Sequence, residues 1–191
     1  MSKRLIETPI DGEIVHEGLF FDVRRDRARM PDGGVAQREF VLHPGAAAIV
    51  PLFEDGRVLV ERQFRYPLKQ VFVEIPAGKR DRGEQPLATA KRELLEETGY
   101  RAALWAPLTS IHPAIGMADE RIDIFLAREL EPVSQTLDEG EFVELEVVTL
   151  GWLVDELVAG RLTDVKTQIA VHWLERIESG RWPWPAFTRE L

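Results

Sequence analysis

Residues 78–100, GKRDRGEQPLATAKRELLEETGY, constrain this chain more than any other stretch. A glycine-rich loop runs into one amphipathic helix, which ends in a crowd of carboxylates. Pro86 suits the first helical turn, where a missing N–H costs nothing, and Gly99 suits the left-handed position just past the end. Leu87, Ala90, Leu94 and Thr98 recur at helical spacing, with Ala88 and Leu95 beside them, so one side is predicted to be buried. Glu93, Glu96 and Glu97 stand at i, i+3 and i+4. At 3.6 residues per turn they share an arc of about 100°.

That arc is awkward for a scaffold. Glu93 and Glu97 are a like-charge i,i+4 pair, which costs roughly 0.2–0.5 kcal/mol. Both lie near a helix C-terminus, where the macrodipole favours cations by about 0.3–1 kcal/mol per charge. Locally only Arg92, four residues before Glu96, offers relief. Two readings stay open on the carboxylates alone: a solvated acidic face, or hard oxygen ligands for Mg²⁺ or Mn²⁺.

The order of residues goes further. Gly78, then five residues to Glu84, then seven to Arg92-Glu93-Leu94-Leu95-Glu96-Glu97, then Gly99-Tyr100, resembles the Nudix box at every defining position. The resemblance implies a diphosphate hydrolase of α/β (α+β) class, an α/β/α sandwich with a mixed sheet. It also implies that the helix glutamates hold divalent metal while Glu84 pairs with Arg92 to brace the loop.

At 191 residues the chain suits one domain with a proper core rather than two ordinary ones. A net charge of −9 argues against a nucleic-acid or anionic-membrane surface. A phosphate-bearing substrate must then be held by local Arg, Lys and metal ions. Cysteine is absent, which excludes disulfides, thiolate zinc sites and cysteine nucleophiles. His16, His43, His112 and His172 show no metal-ligand spacing, and no G-x-S-x-G occurs. The first residues lack an apolar signal region, and no run approaches the ~18–20 apolar residues of a membrane span. A cytoplasmic protein is the expectation.

Residues 1–45 read as a β-rich leader without a core of its own, and 46–191 as the main domain. In the leader, Gly12–His16 and Leu19–Arg25 are strand candidates, and Ala28–Met30 pairs with Ala36–Leu42 across the turn Pro31-Asp32-Gly33-Gly34. Ala46–Phe53 and Arg57–Phe64 form a hairpin, the first apolar enough to be buried on both faces. Gln70–Ile75, Leu104–Ser110, Arg121–Ala127 and Phe142–Val148 are further strands. Arg128–Gly140 reads as a polar acidic loop. Leu150–Ala159 and Asp164–Glu178 read as helices, and the aromatic, proline-rich tail RWPWPAFTREL as packed but not helical.

Beyond the box, Glu61-Arg62-Gln63-Phe64-Arg65-Tyr66, Glu74-Ile75-Pro76-Ala77-Gly78, the Pro113 loop ending Asp119-Glu120-Arg121, and Asp138-Glu139-Gly140-Glu141 resemble the ADP-ribose pyrophosphatase branch. That branch implies hydrolysis of ADP-ribose to AMP and ribose 5-phosphate with Mg²⁺, or Mn²⁺. Position by position, the Ala77 carbonyl would join Glu93 and Glu97 in holding metal, Glu96 would help hold a second ion, and Arg65 would contact the diphosphate. Arg38, Glu39 and Glu120 resemble residues that recognise the adenosine end, with Phe20 or Phe21 as the stacking ring. The adenosine end is bound by the partner's leader in this branch, so a homodimer is expected. For the general base the resemblance points to Glu139 first and Glu141 second, with Glu96 behind them. The rival readings are a hydrolase of another nucleoside diphosphate conjugate and a non-catalytic ADP-ribose sensor.

Overall fold

The computed structural model describes residues 3–137 and 140–189. The chain divides into two compact units. One is the segment ending at Gly45 together with His112–Arg121. The other is Ala46–Ile111 together with the chain from Ile122 onward.

The first unit is a three-stranded antiparallel sheet, β1 (Thr8–Glu17), β2 (Asp22–Arg29) and β3 (Val35–Leu42), in sequence order. Where two short strands were expected between Leu19 and Met30, a single strand runs from Asp22 to Arg29. Cross-strand charges explain its continuity: Arg27 pairs with Asp11 on β1, and Arg25 with Glu39 on β3 at 2.6 Å. The β2–β3 turn closes through Met30 N–H on Gly34 O at 2.8 Å, with Gly33 at φ +91°. Exposed ion pairs of this kind contribute only about 0–1 kcal/mol each. Ala28 is the one buried apolar residue among the described residues of this unit, so the sheet stands almost without a core. His112–Arg121 joins it through Val41 N–H on Met117 O and Asp119 N–H on Val41 O, 2.8 and 3.1 Å.

The second unit carries the core. Its strands are β4 (Ala46–Pro51), β5 (Arg57–Arg65), β6 (Gln70–Glu74), β7 (Ala77–Lys79), β8 (Tyr100–Ile111), β9 (Ile122–Pro132), β10 (Val143–Thr149) and β11 (Thr188–Arg189). Its helices are α1 (Pro86–Thr98), α2 (Leu150–Val158) and α3 (Val165–Glu178). A five-stranded mixed sheet runs β11-β8-β9-β4-β7, with β4 and β9 parallel, and a three-stranded antiparallel sheet runs β10-β5-β6. Strand β4 is buried along its whole length because alternate residues serve two cores. Ala46, Ala48 and Val50 join Val58, Val60, Leu126 and the α3 residues Ala170, Val171 and Leu174. Ala47 and Ile49 face the other way, against Ala90 and Leu94 of α1. Helices therefore cover both faces of the sheet.

Two helix starts are capped by side chains: Thr149 accepts from Trp152 N at 3.1 Å, and Asp164 from Thr167 N at 3.0 Å. α1 has no such cap and opens on Pro86 instead. Among the described residues, no helix is long and apolar enough to cross a membrane.

Candidate active site

The C-terminal half of α1 meets β7, and Gly78 makes the meeting possible. A Cβ on Gly78 would lie 1.8 Å from the Glu93 carboxyl, so only glycine admits that side chain here. Beside it, Ala77 N–H donates to Glu97 Oε2 at 2.9 Å. Arg92 ties the remaining carboxylates together. Its Nη1 donates to Glu93 Oε1 and Glu96 Oε2, 2.7 and 2.9 Å, while Nη2 reaches Glu84 Oε2 and Lys79 O at 3.1 and 3.0 Å. Glu84 also accepts from Thr89 Oγ1 and Asp81 N. With Arg92 as the leading cause, these bonds lower the Glu84 carboxyl to about 2.

Gly99 closes the helix at φ +68°, with its N–H on Leu95 O at 2.9 Å. The segment after β9 docks onto this end: Val133 N–H donates to Gly99 O, Thr136 N–H to Glu96 O, and the Gln135 side chain to Glu97 O. A Cβ on Gly99 would lie 2.8 Å from Gln135 N and 3.0 Å from Val133 O. Gly99→Ala combines left-handed strain with this clash, and is expected to cost about 1–3 kcal/mol of stability in urea unfolding. An unchanged midpoint would show that the docked segment yields freely.

One site residue escaped the sequence reading. Glu61, on β5, is fully buried, lies opposite Glu74 of β6, and neither of its carboxylate oxygens has a hydrogen-bond partner among the described residues. Burial pushes Glu61, Glu93 and Glu97 upward, Glu93 to about 7, and the Glu141 charge adds to the rise in all three. Glu141 itself accepts from Gln63 Nε2 at 3.3 Å. Glu139, the first expectation for the base, lies outside the described residues.

With Arg92 holding Glu93 and Glu96, no three carboxylate or imidazole groups among the described residues stand in a ready-made ligating arrangement. The donor set nonetheless suits a hard divalent cation: Glu61, Glu93 and Glu97 are buried carboxyl groups, Arg92 reaches only Glu93 of the three, and the Glu61 oxygens have no hydrogen-bond partner among the described residues. Cation binding relieves that burial directly.

The raised pKa values carry a testable sign. A folded state that holds protons more tightly than the unfolded chain is stabilised below the usual carboxylate pKa, near 4.5, and loses that stability as pH rises through the folded value, about 7 for Glu93. Glu84, lowered to about 2, loses its contribution only as pH falls below this window. In chelator, the melting temperature is expected to fall between about pH 5 and 8, and saturating Mg²⁺ to flatten the fall. A melting temperature that rises with pH in chelator contradicts the cluster.

Arg65, expected at the diphosphate, leaves β5 and forks onto Glu74, Nε on Oε1 and Nη2 on Oε2, both 2.7 Å. The buried Lys166 of α3, also unread in the sequence, contacts the same Glu74 oxygen.

The residues expected at the adenosine end belong to the first unit. Arg38 forks onto Glu7 at 2.9 and 2.8 Å, and Glu39 accepts from Arg25. Both line a cavity of about 430 Å³ with Asp26, Phe40, Met117 and Asp119. Phe20 lines a different cavity, of about 380 Å³, with its ring edge-on to Phe21 and His43. Glu120 lies 3.7 Å from His43 Nδ1. Arg38 and Glu39 are thus brought together, and Phe20 is not with them.

Known proteins match this arrangement. The NUDIX domain model covers residues 42–168. The ADP-ribose pyrophosphatase of Bacillus subtilis is 39% identical over 93% of this chain and 97% of its own length. The methanol dehydrogenase activator of Bacillus methanolicus is 38% identical over 94% of this chain and 98% of its own. A crystal structure described as an ADP compounds hydrolase superposes with a TM-score of 0.82 over 94% of this chain and 98% of that one, at 24% identity, a likeness of fold. The glycine-seated carboxylates, the Glu84–Arg92 brace and the family model agree: the chain belongs to the Nudix hydrolases.

Proposed function

We propose that this hydrolase splits the diphosphate bond of ADP-ribose, giving AMP and ribose 5-phosphate. The observation that carries this reading is the buried carboxylate set Glu61, Glu93 and Glu97, with the charges of Arg65 and Glu141 both acting on Glu61, within a chain similar over 93% of its length to an ADP-ribose pyrophosphatase. Glu61, Glu93 and Glu97 would hold Mg²⁺, or Mn²⁺, with Glu96 assisting once Arg92 releases it. The cation supplies Lewis acidity that neutralises diphosphate charge and acidifies water.

The chain's own groups do the rest. Arg65 presents a guanidinium whose planar fork matches phosphate oxygens. Glu84 and Arg92 brace the loop that carries Gly78. Glu141 takes the proton from the attacking water; it stands on the segment leading into β10, apart from the helix ligands, yet its charge reaches all three buried carboxylates. A base must be free to accept a proton, which glutamates engaged as ligands are not.

We also propose a homodimer. The leader exposes Ile10, Ile14, Val15, Leu19, Phe20 and Val35, and the β5–β6 hairpin exposes Phe64, Tyr66, Leu68 and Val71, apolar surface that a partner copy would cover. Arg38→Ala and Arg65→Ala subunits, each impaired alone, are expected to recover part of the lost activity when mixed. A monomer fully active at low nanomolar concentration contradicts the dimer.

A second reading is hydrolysis of another nucleoside diphosphate conjugate. It draws on the Bacillus methanolicus relative, matched as fully yet named for a different role. Phosphate release from a panel of nucleotide conjugates with Mg²⁺, after phosphatase coupling, decides between them. ADP-ribose should give the highest kcat/KM, and a nucleotide sugar or dinucleotide ranking above it overturns the first reading.

A further inference from the structure

We propose that Lys166 is a positioning residue for the substrate's diphosphate, acting through Glu74 on Arg65. The inference rests on the reading of Arg65 as the diphosphate contact. Glu74 gives both carboxylate oxygens to the Nε and Nη2 of Arg65, each at 2.7 Å. That fork consumes one edge of the guanidinium. Nη1 has no hydrogen bond among the described residues, and the Arg65 side chain is 40% exposed. Arg65 lines a cavity of about 340 Å³ together with Phe72, Glu74, Thr163, Asp164 and Lys166. Two parallel N–H groups presented from a fixed plane are what a phosphate needs for bidentate binding.

The fork is only as well aimed as Glu74, and Glu74 is almost wholly buried. From the inner side, Lys166 Nζ contacts Glu74 Oε2 and lies 3.1 Å from Asp164 Oδ2. Lys166 is itself held in place. Asp164 caps α3 through Thr167 N and Oγ1, at 3.0 and 2.6 Å, and Thr167 Oγ1 accepts from Ile75 N at 2.9 Å, one residue beyond Glu74. The start of α3 and the end of β6 are thus locked together around one carboxylate. Lys166 supplies the buried cation that keeps this carboxylate turned toward Arg65. Without it, one oxygen of Glu74 loses its inner partner, and the carboxylate can rotate out of register with the guanidinium.

A double-mutant cycle with ADP-ribose and saturating Mg²⁺ tests the chain of contacts. Arg65→Ala and Lys166→Met should each lower kcat/KM about 10–100-fold, mostly through KM, since both weaken a contact made to bound substrate. In the Arg65→Ala background, Lys166→Met should change kcat/KM by less than about 3-fold, because the two act through one interaction. The doubly substituted Glu74→Gln/Lys166→Met protein removes the buried Glu74 charge together with its cation, and it should show the same rise in KM with a melting temperature nearer wild type than Lys166→Met alone. Losses that multiply in the cycle, or a wild-type KM in the neutral pair, overturn the role of Lys166 and leave that of Arg65 intact. An unchanged KM in Arg65→Ala overturns the reading of Arg65, and the inference with it.

Discussion

Glu97→Gln is expected to lower kcat/KM for ADP-ribose by about 10³-fold or more while leaving the fold intact. Glutamine keeps the shape and still accepts the Ala77 N–H, so nothing in the packing must move. What disappears is an anionic ligand at the centre of the buried carboxylate set, worth several kcal/mol of transition-state stabilisation. The melting temperature should separate chemistry from folding. Mg²⁺ at about 100 times its Kd stabilises a binding-competent protein by about 2.7 kcal/mol. The wild type should show that rise and the variant much less. Near wild-type turnover in limiting Mg²⁺ would falsify the metal assignment.

The second large effect is expected at Glu141. Glu141→Gln should reduce kcat by about 10²–10⁴-fold, the usual worth of a general base, with Mg²⁺ affinity and KM nearly unchanged. On this assignment Glu139→Gln should be mild. A severe loss at Glu139 with none at Glu141 moves the role two residues earlier. Full activity in both returns it to Glu96 on the helix.

Local signals made much of this protein legible before its structure. The helix α1 runs from Pro86 to Thr98 because proline opening, apolar period and glycine closing all agree. The two-faced burial of β4 follows from an uninterrupted apolar run. Strand β9 was harder to read. It continues to Pro132, where an acidic loop was expected from Arg128. Beyond Ala127 it pairs with β8 alone, as a ribbon whose exposed Glu129 and Glu131 leave no apolar alternation to find.

Glu61 and Lys166 show the other limit. VLVERQF reads as a strand, and nothing local reveals that its glutamate is buried opposite Glu74. Lys166 meets Glu74 across 92 positions of sequence. A charge on an amphipathic element is predicted to face water, and only the three-dimensional pairing overrides that. The glycines of the box were legible as motif letters, but their reasons were not. Gly78 makes room for the Glu93 carboxyl, and Gly99 for the segment at Val133–Gln135.

The measurement that bears most directly on the central claim is product analysis of the purified protein with ADP-ribose, with Mg²⁺ and with chelator. The account predicts AMP and ribose 5-phosphate in equal amounts with Mg²⁺, and turnover abolished by chelator and restored by Mg²⁺ or Mn²⁺. Products other than this pair, or hydrolysis that persists undiminished in chelator, would contradict it.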